Sequence, residues 1–147
     1  IPLRLVGSEM CIRDSAYPEH QGVQKLIGEI NALYKKLPSL WERDTEPEGF
    51  TWLVNDDAAG NILAFTRWDN AGRPVTAITN FSPVPHESYL LQLPRCEFPG
   101  IWQEILNTDE LSFGGSGVIN KNIHFEENSQ TVKLRLPPLA TIWLQKN

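Results

Sequence analysis

The sequence has 147 residues, of which 41% are hydrophobic, and a formal net charge of -5. This length is close to the common domain size of about 100 to 150 residues, which predicts one main hydrophobic core. The mild acidity argues against a nucleic-acid partner. No apolar run approaches the roughly 20 residues that cross a bilayer, which argues against a membrane protein.

The first 15 residues differ in kind from the rest. Residues 5–15, LVGSEMCIRDS, can be spelled by codons that resemble a transposon adaptor used in DNA sequencing libraries. We therefore interpret residues 1–15 as a non-native leader, and a genuine N-terminal arm is the alternative. The only methionine, Met10, lies in this leader. We expect the natural protein to begin upstream, with residues 16–147 as its C-terminal piece.

Cys96 is the one cysteine outside the leader, which contains Cys11. A single thiol argues against a disulfide scaffold and is compatible with a reducing cytoplasm. Arg95 and Glu97 flank Cys96 in a proline-flanked loop, so its environment is not clearly activating. We interpret this cysteine as structural or incidental.

The segment 20–37 has a helical period. Its apolar residues recur at steps of three and four and form one broad face: Val23, Leu26, Ile27, Ile30, Leu33, Tyr34 and Leu37. Two lysines suit the C-terminal turn, and Pro38 is expected to end the helix. This apolar face needs a partner, which could be the later sheet or a part of the protein upstream of this chain.

After the helix the period becomes strand-like. Turn-forming clusters of Gly, Pro, Asn, Asp and Ser separate eight predicted strands: 50–54, 62–67, 75–80, 88–93, 101–106, 123–127, 131–136 and 139–144. Because no crossover helices intervene, the strands are expected to be antiparallel. The predicted fold is mainly β, with one amphipathic α-helix followed by an antiparallel β-sandwich.

Motifs for metal and nucleophilic chemistry find little support. The three histidines, His20, His86 and His124, have no second ligand at metal-binding spacing, so we predict no metal site. The glycine-rich segment 113–117, FGGSG, lacks the Lys-Ser/Thr ending of a phosphate loop. Its glycines predict a loop with unusual backbone dihedral angles. A G-x-S-x-G nucleophile elbow is also absent from the sequence.

Two aromatic residues near the first strand favour carbohydrate binding. Phe50 and Trp52 are two residues apart and so share one face, and Glu48 precedes them by a similar step. Aromatic rings stack on sugar faces while carboxylates bond sugar hydroxyls. We expect Phe50 in the sandwich core and propose Trp52 and Glu48 as carbohydrate-binding residues. The other acidic residues of segment 42–48 are expected to form a solvated surface.

Several motifs, taken in order, resemble the C-terminal end of bacterial 1,4-α-glucan branching enzymes of the amylase-type glycoside hydrolase family. The resemblance covers residues 19–147. Its motifs are HQGVQKLIGEINALYKKLPSLWERDTEPEGFTWL, NFSPVP, W-x-E-I-L-N-T-D followed by FGGSG, and LPPLATIWL. The chain departs from the family at Trp41, where many members have a histidine, and in a shorter loop after GGSG.

The resemblance implies an N-terminal β module, a central (β/α)8 barrel with the active site, and a C-terminal β-sandwich. Residues 16–45 would then be the last helix of the catalytic barrel and a linker, and residues 46–147 the C-terminal sandwich. On this interpretation, the apolar face of the helix packs mainly on the barrel, which lies upstream of this chain.

The resemblance also implies an activity for the parent protein, with α-glucan as its partner and no cofactor. Such an enzyme cuts an α-1,4-glucan with retention and transfers the freed chain to a 6-hydroxyl. Retention requires two carboxylates about 5 Å apart. In the family these residues lie upstream, so no catalytic residue is assigned here and the chain alone is expected to be inactive. The alternatives are a stand-alone carbohydrate-binding module, or the C-terminal domain of another amylase-type enzyme.

Overall fold

The computed structural model describes residues 17–95, 97, 100–121, 123–125 and 130–146. The predicted leader and Cys96 lie outside these residues, so their interpretations stay predictions. One helix, α1, spans Pro18–Lys36. The strands are β1 (Phe50–Asp57), β2 (Ile62–Trp68), β3 (Pro74–Asn80), β4 (His86–Gln92), β5 (Trp102–Asn107), β6 (His124–Phe125), β7 (Thr131–Leu136) and β8 (Ala140–Lys146). Short 3-10 helices occupy Pro38–Leu40, Pro47–Gly49 and Leu111–Phe113.

The strands form two antiparallel sheets. A five-stranded sheet has the order β1-β2-β3-β8-β5, and a three-stranded sheet has the order β4-β7-β6. The predicted fold class is therefore confirmed, and each predicted strand has an observed counterpart. Strand β6 begins at His124, one residue later than predicted, and the predicted residues 126–127 lie outside the described part of the chain.

The main core lies between the two sheets. Alternate residues of β7 point inward, since Val132, Leu134 and Leu136 are buried and the residues between them face outward. The buried members of this core are Ile62, Ala64, Ile78, Leu91, Leu93, Trp102, Val132, Leu134, Leu136, Ile142 and Leu144.

A second core lies on the opposite surface of the five-stranded sheet, which we call the outer face. Helix α1 packs there, with Leu33 and Leu37 buried against Val75 of β3 and Leu106 of β5. Because this helix covers its outer side, β3 is buried along nearly all of its length. The sequence of β3 accordingly lacks the alternation of a strand with one solvated face.

The apolar face of α1 is divided between two environments. The side chains of Leu26, Ile30, Leu33 and Leu37 pack in the second core. Three other members of the face remain exposed, namely Val23 (56%), Ile27 (52%) and Tyr34 (49%); we call these the outward stripe. The expectation that the face packs mainly on an upstream barrel is therefore wrong for its inward half, which has a partner within the chain.

The end of α1 is fixed by hydrogen bonds. The backbone N–H of Leu37 donates to the carbonyl of Leu33 (2.9 Å), and Pro38 then begins a 3-10 helix, as predicted for a helix terminator. The indole N–H of Trp41 donates to the carbonyl of Tyr34 (2.9 Å). This residue, which departs from the resembled family, thus satisfies a carbonyl in the last turn of the helix. No helix among the described residues is long and apolar enough to cross a membrane.

Candidate carbohydrate-binding site

Trp52 lies on β1, the edge strand of the five-stranded sheet. It pairs with Phe65 of β2, and directly opposed residues of an antiparallel pair share a face. Because Phe65 neighbours Ala64, which points into the main core, Phe65 and Trp52 lie on the outer face. The Trp52 side chain is 50% exposed. The prediction that Trp52 is an exposed aromatic residue is therefore confirmed, whereas its binding role remains a prediction.

Phe50 supports Trp52 instead of filling the sandwich core. Its ring stacks on Phe65, with centroids 5.3 Å apart, and meets Trp52 edge to face at 4.9 Å. The ring of Trp52 is also perpendicular to that of Phe65, at 6.1 Å. The expectation that Phe50 is a core residue is wrong, because its shared face with Trp52 is the outer face. These ring contacts restrict the orientation of the indole.

Glu48 lies in the 3-10 helix that precedes β1, and its side chain is largely exposed. Its carboxylate pairs with Arg43, whose other partner is Glu46 (2.7 Å). At 3.7 Å the pair with Glu48 is a loose surface contact that leaves carboxylate oxygens free to accept other hydrogen bonds. Among the described residues, no contact joins the side chains of Glu48 and Trp52. Because both side chains are exposed, the candidate site is an exposed surface.

An apolar cavity lies between α1 and the outer face, on the same face as Trp52. Its volume is about 200 Å³, and its lining is formed by Tyr34, Leu40, Phe65, Arg67, Val75, Ala77 and Trp143. Arg67 also pairs with Asp44, which ties the linker before β1 to the sheet. The rings of Phe50, Trp52 and Phe65 form what we call the aromatic group at Trp52. The cavity lies between this group and the outward stripe, because Phe65 and Tyr34 both line it.

The glycine-rich FGGSG segment is held by a buried carboxylate. Asp109 accepts hydrogen bonds from the N–H of Ser116 (2.9 Å), the hydroxyl of Ser116 (2.7 Å) and the N–H of Val118 (2.9 Å). Burial of Asp109 opposes ionisation, but these hydrogen bonds outweigh it and hold the pKa of the carboxyl below its ordinary value. The segment is therefore a fixed structural loop, and sequence reasoning did not identify Asp109.

The predicted dihedral angles of this loop are confirmed at two glycines. Gly114 has a φ of +90° and Gly117 a φ of +85°, in the left-handed region that favours glycine. Gly115 is needed for a different reason, since a Cβ there would lie 2.1 Å from the carbonyl oxygen of Asp109.

A larger cavity of about 530 Å³ borders β5 and includes Glu104, Asn120 and Trp102 in its lining. Glu104 accepts hydrogen bonds from the amide groups of Asn107 (3.0 Å) and Asn120 (2.7 Å). Burial raises the pKa of Glu104 despite these bonds. The side chains of Glu104, Asn107 and Asn120 thus hold residues 118–120 against β5.

Metal-binding geometry is not found in the described part of the chain, where no group of three or more His, Cys, Asp or Glu residues is positioned to hold an ion. The ring nitrogen Nε2 of His86 lies 3.1 Å from the carbonyl oxygen of Gly60, which gives this histidine a structural contact. The side chain of His124 lies outside the described residues.

Comparisons with known proteins identify the family to which this chain belongs. Residues 52–147 match the family described as the alpha amylase C-terminal all-beta domain. Similar proteins include 1,4-alpha-glucan branching enzymes of Streptomyces avermitilis (43% identical), Pseudomonas putida (42%) and Leifsonia xyli subsp. xyli (46%). These alignments cover 95%, 86% and 87% of this chain, but 24%, 18% and 18% of the relatives. The chain thus spans about a fifth of the length of these curated relatives.

A solved structure is also similar. The crystal structure of alpha-amylase from H. orenii superimposes with a TM-score of 0.52 at 17% sequence identity, covering 92% of this chain and 22% of that chain. At this identity the likeness shows the fold alone.

The low pKa of Asp109 generates a prediction about acid stability. Because its pKa is lower in the folded protein than the unfolded value of about 3.9, its contribution is fully present above that pH and is lost as pH falls through the folded value. We expect Asp109→Asn to lower the free energy of unfolding by about 2–3 kcal/mol at pH 7. Urea titrations at several pH values should show this difference shrinking below about pH 4.

Asp56→Asn is the matched control, because Asp56 is exposed, and it should change the free energy of unfolding by less than about 0.5 kcal/mol. A loss at Asp109→Asn that stays constant from pH 7 to pH 3 would contradict the assignment.

Proposed function

Because the chain belongs to the family of alpha-amylase C-terminal all-β domains, we propose that it is the C-terminal part of a 1,4-α-glucan branching enzyme. One observation carries this proposal, namely identities of 42–46% to three such enzymes across most of the chain. The same observation favours a branching enzyme over another amylase-type enzyme and over a stand-alone module, since the chain corresponds to about a fifth of each relative.

The parent protein would cut α-1,4-glucan chains with retention and transfer them to 6-hydroxyls, forming the α-1,6 branches of glycogen in the cytoplasm. This chemistry needs a nucleophilic carboxylate and an acid/base carboxylate held about 5 Å apart. We place both in the upstream catalytic barrel. The role of the present chain is then structural or accessory, with no activity of its own.

In the proposed domain organisation, residues 16–45 are the last helix of the catalytic barrel and a linker, and residues 46–147 are the C-terminal sandwich. The outward stripe of α1 supports this division, because Val23, Ile27 and Tyr34 are each about half exposed. Burying a large apolar side chain contributes about 1.5–3 kcal/mol relative to full exposure. We propose that the barrel covers this stripe, so that α1 lies between barrel and sandwich.

Trp52 is proposed as a glucan contact, with Glu48 as a hydrogen-bonding neighbour. The half-exposed indole is oriented by Phe50 and Phe65 and lies on an edge strand, where an extended chain can approach it. Stacking of a sugar ring on the indole would supply apolar contact, and the free oxygens of Glu48 can accept bonds from sugar hydroxyls. This contact would hold glucan near the parent enzyme without taking part in bond cleavage.

A chimaera tests the proposed function. Residues 17–147 replace the matching C-terminal part of the Pseudomonas putida branching enzyme, and the control is that enzyme truncated before the exchanged part. We expect the chimaera to lower the absorbance of the iodine complex of amylose without releasing reducing sugar, since transfer creates no new reducing end. The rate should exceed that of the truncated enzyme at least tenfold.

A folded chimaera whose branching rate equals that of the truncated enzyme would reject the proposal. Loss of iodine colour accompanied by an equivalent release of reducing sugar would indicate hydrolysis and would also reject it.

Electrophoresis of this chain in gels containing amylopectin tests the glucan contact. Trp52→Ala should weaken retardation about tenfold, equivalent to about 1.4 kcal/mol, because it removes the stacking surface. Glu48→Gln should weaken it about twofold. Phe81→Ala is the matched control, since it removes an exposed aromatic ring from another part of the chain. Equal retardation of the unsubstituted chain and of Trp52→Ala would show that Trp52 does not contact the glucan.

A further inference from the structure

Two loops at one end of the sandwich present three exposed apolar side chains. Phe81 (61% exposed) and Val84 (63%) lie between β3 and β4, and Leu139 (70%) lies between β7 and β8. The loops are adjacent, because the N–H of Leu139 donates to the carbonyl of Ser82 (3.0 Å). We call Phe81, Val84 and Leu139 the apolar tip. A single exposed apolar residue is ordinary, but three on adjacent loops form a patch.

The apolar tip is held in one conformation. Buried Asn80 donates from its amide nitrogen to the carbonyls of Val84 (3.0 Å) and Pro137 (2.9 Å), which links the two loops. Its amide oxygen accepts a bond from the N–H of Ser82 (2.8 Å). A surface that is already ordered loses little conformational entropy when it binds, so this network suits the tip for recognition.

Leu139 has an unusual backbone conformation in the turn between β7 and β8. Its φ is +50°, in the left-handed region that glycine and asparagine adopt at lower cost than leucine. Its side chain is 70% exposed, so little packing within the described chain compensates for this cost. Strained residues of this kind cluster at functional contacts.

The sequence around the apolar tip also lacks charge. Residues 78–85 and 136–145 contain no Asp, Glu, Lys or Arg. Charged residues are depleted at the centre of protein interfaces, whereas a freely solvated loop ordinarily carries them. Composition, strain and exposure therefore point to the same surface.

We propose that the apolar tip docks against the upstream part of the same polypeptide, at a contact separate from the outward stripe of α1. This inference rests on the proposed function, because the relatives contain roughly four-fifths of their length outside the matched region. On this proposal, the chain contacts the rest of the parent protein through two surfaces. One is the outward stripe of α1, and the other is the apolar tip.

The size of the apolar tip favours this occupant over a second copy of the chain. Three side chains of this kind bury on the order of 300–400 Å², whereas a stable interface between separate proteins buries about 800 Å² per partner. An intramolecular contact does not need that area, because covalent connection supplies a high effective concentration of the partner surface.

Thiol labelling tests the proposal. Leu139→Cys and the control Leu90→Cys are made in this chain and in the Pseudomonas putida chimaera. Cys96 is replaced by serine in both proteins, and Cys11 is replaced in the chain. Leu90 is a suitable control because it is 52% exposed and lies on β4 of the other sheet. Alkylation rates at each position are followed by peptide mass spectrometry. We expect alkylation of Leu139→Cys to be at least tenfold slower in the chimaera than in the chain alone, with Leu90→Cys changing less than twofold.

Equal alkylation rates of Leu139→Cys in the two proteins would overturn the proposal. Protection in the chain alone that grows with protein concentration would also overturn it, because the occupant would then be a second copy. Val84→Cys provides an independent variant and should follow Leu139→Cys. Branching by the chimaera is measured separately, so an active chimaera with an unprotected tip rejects only the docking contact. An inactive, folded chimaera rejects the proposed function whatever the labelling shows.

Discussion

The packing of α1 on the outer face of the five-stranded sheet determines which side of the helix is buried and which side remains exposed. Leu33 and Leu37 anchor the helix on Val75 and Leu106, and this contact buries the central strand β3 on both faces. Once these residues face inward, the helical period leaves the outward stripe exposed. The same contact forms the apolar cavity beside the aromatic group at Trp52. The helix thus has one partner within the chain and one exposed stripe available to another.

Buried polar side chains fix the irregular parts of the sandwich. Asp109 holds the glycine-rich segment, and Asn80 joins the two loops of the apolar tip. A carboxylate or amide that bonds several backbone groups at once can order a loop that has few apolar contacts. This explains how short loops with many prolines and glycines can present defined surfaces. Under the proposed function, such surfaces would suit an accessory domain that holds a partner and a polymeric ligand in place.

The period of the sequence predicted the regular elements, because burial on one side imposes a spacing of 3.6 residues on helices and of two on strands. It also placed Trp52 and Phe50 on one face. It could not show which face, because the assignment depends on pairing with β2 and on the position of α1, both of which are tertiary. For the same reason Phe50 was expected in the core, and the division of the α1 face was not predicted. Asn80 is the last residue of β3, in the motif NFS, and Asp109 follows the end of β5, in the motif NTD. Polar residues at such positions could have suggested buried loop contacts.

Comparison of Leu33→Ala and Ile27→Ala tests the central claim that α1 has one anchored side and one exposed stripe. Unfolding of the 147-residue chain in urea should show a loss of about 2–4 kcal/mol for Leu33→Ala, which opens a cavity, and less than about 0.5 kcal/mol for Ile27→Ala. Within the Pseudomonas putida chimaera, Ile27→Ala should become clearly destabilising. Equal losses for the two variants in the chain alone, or no loss for Leu33→Ala, would contradict the account.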